Sequence, residues 1–283
     1  MKKKTKLLLF LLGITICLTL PGFYNELKIV KYDMASDRIS QPIRIALLSD
    51  LHSCAYGQDQ KILLDAIDEQ SPDIILLGGD IFDDDLPDDN TVTVLHSIGN
   101  RYPCYYVTGN HEYWSGKENF TKKMAALETS GIRRLGGEVE TVEFRNTQIN
   151  ICGVDDPCAW TDDQRHTTDY MPDGFSTQLK QVAALSNKDV YTILLTHRPE
   201  LFDRYNEYDF DLVLAGHAHG GQWRIPGIFN GLWAPNQGLF PAYAGGRYEK
   251  NGMTMIVSRG LSRESTRIPR FYNRPELVIV ELH

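Results

Sequence analysis

Five apolar runs in this chain each stop at side chains that can hold a metal ion. Residues 43–49 end in Asp50-Leu51-His52, and residues 73–79 end in Asp80, with Asp83 three positions on. Residues 104–109 end in Asn110-His111-Glu112, residues 190–196 in His197, and residues 212–216 in His217-Ala218-His219. One Asp-x-His pair carries little information, but five runs closed in the same way carry a good deal. Aspartate, asparagine and histidine with no cysteine among them are hard oxygen and imidazole donors, which suit manganese, iron or zinc better than soft metals. The chemistry open to such a set is metal-assisted hydrolysis.

The elements that must position these groups follow from the runs themselves. Short, continuous aliphatic stretches read as strands buried on both faces, and open α/β sheets place their chemistry at the strand ends. Between the strands, residues 58–69 carry Ile62, Leu63, Ala66 and Ile67 at helical spacing, and Ser71-Pro72 stops the helix. Further helices are predicted over 90–98, 118–130 and 179–186, and strands over 27–32, 139–144, 148–154, 253–257 and 277–282. Residues 155–175 read as a long polar loop, with His166 an exposed loop residue and His96 on a helix surface. From 222 to 247 the chain turns aromatic and glycine-rich. That composition reads first as packing and second as a hydrophobic lip beside the metal-binding ends.

At 283 residues and 42% hydrophobic, the chain can form one large domain with a full core. A net charge of −8 disfavours nucleic-acid binding, which needs a positive face to displace phosphate counterions. The five cysteines, 17, 54, 104, 152 and 158, show no Cys-x-x-Cys spacing and read as buried thiols, with a Cys152–Cys158 bridge the alternative outside the cell. Lys2, Lys3, Lys4 and Lys6 precede an uncharged stretch over 7–25. Its length is close to the roughly 20 residues that span a bilayer. Residues 1–25 are therefore predicted to be a signal anchor or transmembrane helix, with a secretory signal cleaved from the chain as the alternative. The lysines would stay in the cytoplasm and the domain over 26–283 would lie outside the cell membrane.

The ordered blocks D-x-H, G-D-x-x-D, G-N-H-E, H and G-H-x-H, all between Asp50 and His219, resemble the calcineurin-type metallophosphoesterase superfamily. Residues 216–222 and 268–277, with the basic-apolar N-terminus, are similar to the bacterial YaeI/YkuE-like phosphodiesterases tied to the membrane. The resemblance implies a four-layer α/β/β/α sandwich of two mixed sheets flanked by helices. It implies two divalent ions, manganese first, with iron, zinc, nickel or magnesium as alternatives. Asp50, His52, Asp80 and His219 would hold one ion, and Asp80, Asn110, His197 and His217 the other. His111 would be the catalytic proton donor, Asp83 would orient His111 or another ligand, and Arg270 would meet an anionic substrate. Glu112 is assigned packing or ligand support, while Asp84, Asp85, Asp88 and Asp89 read as a solvated loop. The activity implied is hydrolysis of a phosphodiester, lipid-linked or sugar-nucleotide in kind. The alternatives are a phosphomonoesterase or phosphoprotein phosphatase, a nuclease, and a metal-stabilised binding module without turnover.

Overall fold

A computed structural model of the chain describes residues 10–13, 15–17, 19–161, 171–187, 189–263 and 268–283. Strands and helices are numbered in chain order, helices from Lys61. One six-stranded sheet holds, from edge to edge, β1 (Lys28–Met34), β14 (Glu276–Leu282), β2 (Ile43–Leu48), β3 (Ile74–Gly78), β4 (Cys104–Val107) and β5 (Arg133–Arg134). The other holds β12 (Gly246–Lys250), β13 (Met253–Val257), β9 (Leu212–Ala215), β8 (Tyr191–Leu195), β7 (Thr147–Gly153) and β6 (Glu138–Phe144). Both sheets are mixed: β2, β3 and β4 run parallel, as do β7, β8 and β9, while β14 lies antiparallel to β2.

The period-2 alternation of side chains explains why the sheets stack. Ile43, Ile45 and Leu47 of β2 point one way, with Ile74 and Leu76 of β3, and meet Ile149, Ile193, Leu195 and Leu214 of the facing sheet. Ala46, Leu48, Ile75 and Leu77 point the other way and are covered by α1 (Lys61–Gln70), α2 (Asp89–Gly99) and α4 (Lys117–Thr129), through Leu63, Ile67, Val94, Leu95 and Leu127. On the outer face of the second sheet, Cys152, Leu194 and Val213 pack beneath Phe175 and Leu179 of α5 (Asp173–Leu185) and Phe202 of α6 (Phe202–Tyr205). The result is the four-layer α/β/β/α sandwich. β3, β8 and β9, and β2 apart from Arg44, are buried on both faces, which is why their sequences are near-continuous apolar runs.

Several elements were not legible in the pattern. The short helix α3 (Asn110–Trp114) begins within the donor block itself, and α5 starts at Asp173, six residues before its apolar spacing becomes visible. The hairpin of β10 (Trp233–Ala234) and β11 (Gly238–Leu239) lies inside the aromatic stretch, and β12 starts at its end. β1 joins the sheet through a parallel ladder with β14, so the fold begins only a few residues after the uncharged N-terminal stretch. Among the described residues no helix is long and apolar enough to cross a membrane. Residues 1–9, 14 and 18 of the predicted anchor, together with His166, lie outside the described residues.

All five cysteines are free thiols, so the alternative of a Cys152–Cys158 bridge is not realised. Burial pushes the Cys104 and Cys152 thiols up to about 12 from the ordinary 9.0, because a thiolate loses its water there. The neutral forms are thus favoured by the fold, and that contribution is intact below 9.0 and lost as pH rises toward 12. Iodoacetamide at pH 9 is expected to leave both residues unlabelled in the folded protein and to label both in guanidinium, as read by peptide mass spectrometry. Rapid labelling of either in the folded state, or recovery of a Cys152–Cys158 peptide, would contradict this burial.

Candidate metal centre

The C-terminal ends of β2, β3, β4, β8 and β9 meet at one place, and the backbone there is tied before any side chain is considered. Asp50 N–H donates to the Gly79 carbonyl (3.0 Å), His52 N–H to Asp80 O (3.0 Å) and Gly216 N–H to His197 O (3.2 Å). Two bonds cross between the sheets: His217 N–H donates to Asp50 Oδ1 at 2.9 Å, and His197 Nδ1 to the Gly78 carbonyl at 2.8 Å. The strand ends turn so sharply that Asp50, His52, Asp80, His217 and His219 all have φ between 47° and 65°. Non-glycine residues rarely adopt this region, and a cluster of such residues marks a strained functional site. Gly109 is required by close approach, since a Cβ there would lie 2.2 Å from Asp80 Oδ1.

The donors fall into two buried groups that share one residue. Asp50, His52, Asp80 and His219 form the first, and Asp80, His197 and His217 the second, with ligand atoms in each group within 4.8 Å of one another. His197 Nε2 lies 3.1 Å from Asp80 Oδ2, His52 Nε2 3.7 Å from the same oxygen, and His219 Nε2 3.5 Å from Asp50 Oδ1. Asn110 is buried at the N-terminus of α3, next to His111, whose N–H donates to Asp80 Oδ1 at 2.9 Å. Asp50 Oδ2, His52 Nε2, Asp80 Oδ2 and Asn110 Oδ1 are all buried without a hydrogen-bond partner. Such orphans cost about 1–3 kcal/mol each. Three of the four are oxygens that can only accept, and a cation is the group that satisfies them together.

Residues 43–221 match the family model for the Calcineurin-like phosphoesterase. The chain belongs to the calcineurin-like phosphoesterase family. An uncharacterized metallophosphoesterase of Helicobacter pylori J99 is 30% identical over 247 residues, covering 84% of this chain and 60% of its own length. Phosphodiesterase YaeI of Escherichia coli K12 is 28% identical over 246 residues, covering 85% of this chain and 82% of its own. The chain spans only 52–60% of the length of the Helicobacter and Campylobacter relatives it matches. The structure of Haemophilus influenzae NAD nucleotidase superposes with a TM-score of 0.52 at 17% identity, over 78% of this chain and 45% of that one. That likeness is one of fold alone.

Around the donors of this family member, a second layer of side chains fixes which ring nitrogen faces inward. His52 Nδ1 donates to Asp83 Oδ2 at 2.9 Å, leaving Nε2 toward Asp80. His197 Nδ1 is committed to a carbonyl, so its Nε2 likewise faces Asp80. His219 Nδ1 bonds Ser262 Oγ at 3.0 Å, and the Asn273 amide donates to the His219 carbonyl at 2.7 Å. His217 turns Nδ1 toward His197 Nε2 (3.2 Å) and Nε2 toward Asn236 Oδ1 (2.8 Å). Asn236 Oδ1 also accepts from Arg198 Nη1 at 2.6 Å, and Arg198 is a buried partner of Asp156. Partners of this kind orient ligand imidazoles and set their basicity.

The electrostatics divide the histidines. Burial, then the Arg198 charge, holds His217 well below its ordinary range; burial, then His52 and Arg270, does the same to His219. Both rings are therefore neutral, the form that ligates. His197 also loses by burial, but the Asp80 carboxylate against it raises its pKa to about 10. Asp80 is disfavoured as an anion by burial, yet His197 and His111 bring its pKa well below the usual carboxylate value. Burial opposes charge on His111 too, and the carboxylates of Asp80, Asp84 and Asp83 raise it from 6.5 to about 9.

Several expectations about individual residues change here. Of the partners expected for Asp83, His111 or another ligand, the structure sets His52 at 2.9 Å and His111 at 3.8 Å. Asp84, expected in a solvated loop, instead accepts from His111 Nδ1 at 2.5 Å. Arg270, expected at an anionic substrate, is buried and turned inward: it donates to the Ser262 carbonyl (2.8 Å), the Arg259 carbonyl (2.8 Å) and Ser262 Oγ (3.0 Å). It braces the serine that orients His219. Arg198, Asp156, Asn236, Ser262, Asn273 and the buried Lys123, which donates to the Asp83 carbonyl at 2.7 Å, were not singled out from sequence. The one available signal was a charged residue directly after His197 in an otherwise apolar context.

Glu112 does more than fill space. Its carboxylate accepts from the backbone N–H groups of Asp80 (3.1 Å), Ile81 (2.9 Å), Phe82 (3.1 Å) and Gly109 (2.8 Å), clamping the Asp80 turn to the start of α3. Replacing Glu112 with Gln leaves one oxygen for four donors and faces the others with an amide NH2. Glu112→Gln is expected to lose about 2 kcal/mol or more in urea denaturation of the metal-free protein. An unchanged urea midpoint would show that this clamp does not hold the turn.

Proposed function

We propose that this chain is a two-metal phosphodiesterase in which His111 delivers the proton to the leaving alkoxide. The observation that carries the reading is the sharing of Asp80 between two buried donor groups, with His111 at their rim. One cation would be held by Asp50, His52, Asp80 and His219, and a second by Asp80, Asn110, His197 and His217. When bound, a divalent pair supplies Lewis acidity and positive charge for a phosphoryl group and its water nucleophile. Mixed carboxylate, amide and imidazole donors suit manganese, iron, zinc, nickel and magnesium to differing degrees, and the family resemblance favours manganese.

The chain's own residues do the rest. The neutral Asn110 carbonyl limits the negative charge of the cluster, so a phosphate is attracted rather than repelled. Asp84 fixes His111 by Nδ1 and stabilises its protonated form, leaving Nε2 as the atom that donates. His111 packs against His52 on one side (4.3 Å between ring centroids) and Trp114 on the other (4.7 Å), which restricts the ring to one orientation. A general acid placed in this way speeds cleavage most for poor leaving groups. Diester over monoester substrates is supported by the likeness to Phosphodiesterase YaeI. The lysines at 2, 3, 4 and 6 ahead of the uncharged stretch over 7–25 support a position on the outer face of the cell membrane, near lipid-linked phosphoesters.

Hydrolysis of bis-p-nitrophenyl phosphate by the full chain tests this. It is expected to exceed that of p-nitrophenyl phosphate, to stop with EDTA and to return with manganese. No hydrolysis by protein that binds manganese would leave a binding module, and a faster monoester would make it a phosphomonoesterase. His111→Ala is expected to keep its metal content and lose ~10²–10⁴ in kcat on a diester with a poor leaving group. Loss of metal instead would make His111 a ligand.

The pH profile has a definite sign. Donation requires protonated His111, so kcat falls as pH rises through its pKa. Removing the Asp84 charge lowers that pKa, and Asp84→Asn is expected to move the alkaline limb of kcat to lower pH. A limb that stays in place or moves upward would detach Asp84 from the proton donor.

A further inference from the structure

The aromatic stretch after His219 is not consumed as packing. Ile228 is 77% exposed, Leu239 67% and Phe240 64%, with Trp233, Trp223 and Phe23 between 40% and 50%. These side chains form one connected tip. Trp233 faces Leu239 across the β10–β11 hairpin, the Phe229 and Phe240 rings meet at 5.8 Å, and Leu232 N–H donates to the Trp223 carbonyl at 2.7 Å. Trp223 in turn lies 5.6 Å from Phe271, and Phe271 lies 5.1 Å from Phe23 at the end of the N-terminal apolar stretch. Tyr272 N–H donates to the Gly22 carbonyl at 2.6 Å, fixing that junction to the domain.

Charge separates this tip from the rest of the surface. The chain has 37 Asp and Glu in 283 residues, yet none lies among residues 1–25, between Asp211 and Glu249, or between Glu264 and Glu276. The described parts of those stretches build the tip, and the charges they carry outside the buried Arg270 are Arg224, Arg247 and Arg274, all basic. An exposed apolar patch built from stretches without acids and displaying two indoles has the chemistry of an interface with anionic lipid. We infer that the hairpin loop over 223–240, the 268–272 segment and Phe23 dock together on a lipid bilayer, holding the metal centre at the membrane surface. His219 lies four residues before Trp223 and its carbonyl is held by Asn273 of the same face, so docking brings the donors of that loop to the headgroups. The inference rests on the membrane-side position proposed above and adds to it a second contact, continuous with the end of the N-terminal stretch through Phe23.

The full chain in phosphatidylcholine–phosphatidylglycerol vesicles, with and without brominated acyl chains, reads this contact through tryptophan emission. Brominated lipid is expected to quench part of the emission. The quenched share should fall by about half or more in a Trp223→Phe, Trp233→Phe double variant and stay unchanged in Trp160→Phe. A quenched share that the double variant does not alter would overturn the docking surface, as would a concentration-dependent dimer in solution that buries Trp233. Leu239→Asp with Phe240→Asp serves as a second test. It should slow hydrolysis of a vesicle-embedded phosphodiester several-fold and leave bis-p-nitrophenyl phosphate turnover unaltered. The two readings fail separately: quenching without any hydrolysis refutes the enzyme, and hydrolysis without quenching refutes the surface.

Discussion

The constraint on which the structure depends is the burial of the Asp50 and Asp80 carboxylates together at the ends of two stacked sheets. Both side chains are essentially inaccessible to water, and each raises the cost of charge on the other. Low-dielectric surroundings magnify that repulsion, so the fold can keep both only by surrounding them with N–H donors, imidazoles and a cation. Asp50 Oδ1 takes the His217 N–H and Asp80 Oδ1 the His111 N–H, which leaves one oxygen of each unspent and facing the histidines. Cation binding and folding of this site are therefore coupled: the ion satisfies groups that the chain has already dehydrated.

The strained turns follow from the same constraint. To aim both carboxylates and three imidazoles at one volume, the strand ends leave their ladders in left-handed conformations that ordinary residues avoid. The stability of the sandwich, with its three apolar clusters above, between and below the sheets, holds these turns in place. Glu112 and Lys123, both buried, then tie the loops after β3 to α3 and α4.

Much of this was legible in the sequence because it is local. An unbroken run such as residues 73–79 must be buried on both faces, and a donor at its end must lie at a strand terminus; both statements need only neighbouring residues. The alternation over residues 27–32 and the helical spacing of Leu63 and Ile67 are local in the same sense. What stayed hidden depends on long-range meetings. Arg270 looks like an exposed cation until Ser262 and the Arg259 carbonyl are seen around it, and Asp84 looks solvated until His111 arrives from a different strand. Arg198 and Asn236 are 38 positions apart and acquire meaning only beside His217. Glycine-rich stretches such as residues 216–247 carry no periodicity, so the hairpin in them could not be anticipated.

Anomalous diffraction from crystals of the full chain soaked in manganese tests the central claim most directly. Two peaks are expected, separated by about 3.5–4 Å as in other two-metal sites, with a carboxylate oxygen of Asp80 between them and His219 and His217 on opposite sides. A single peak, or two peaks of which only one touches Asp80, would contradict the account.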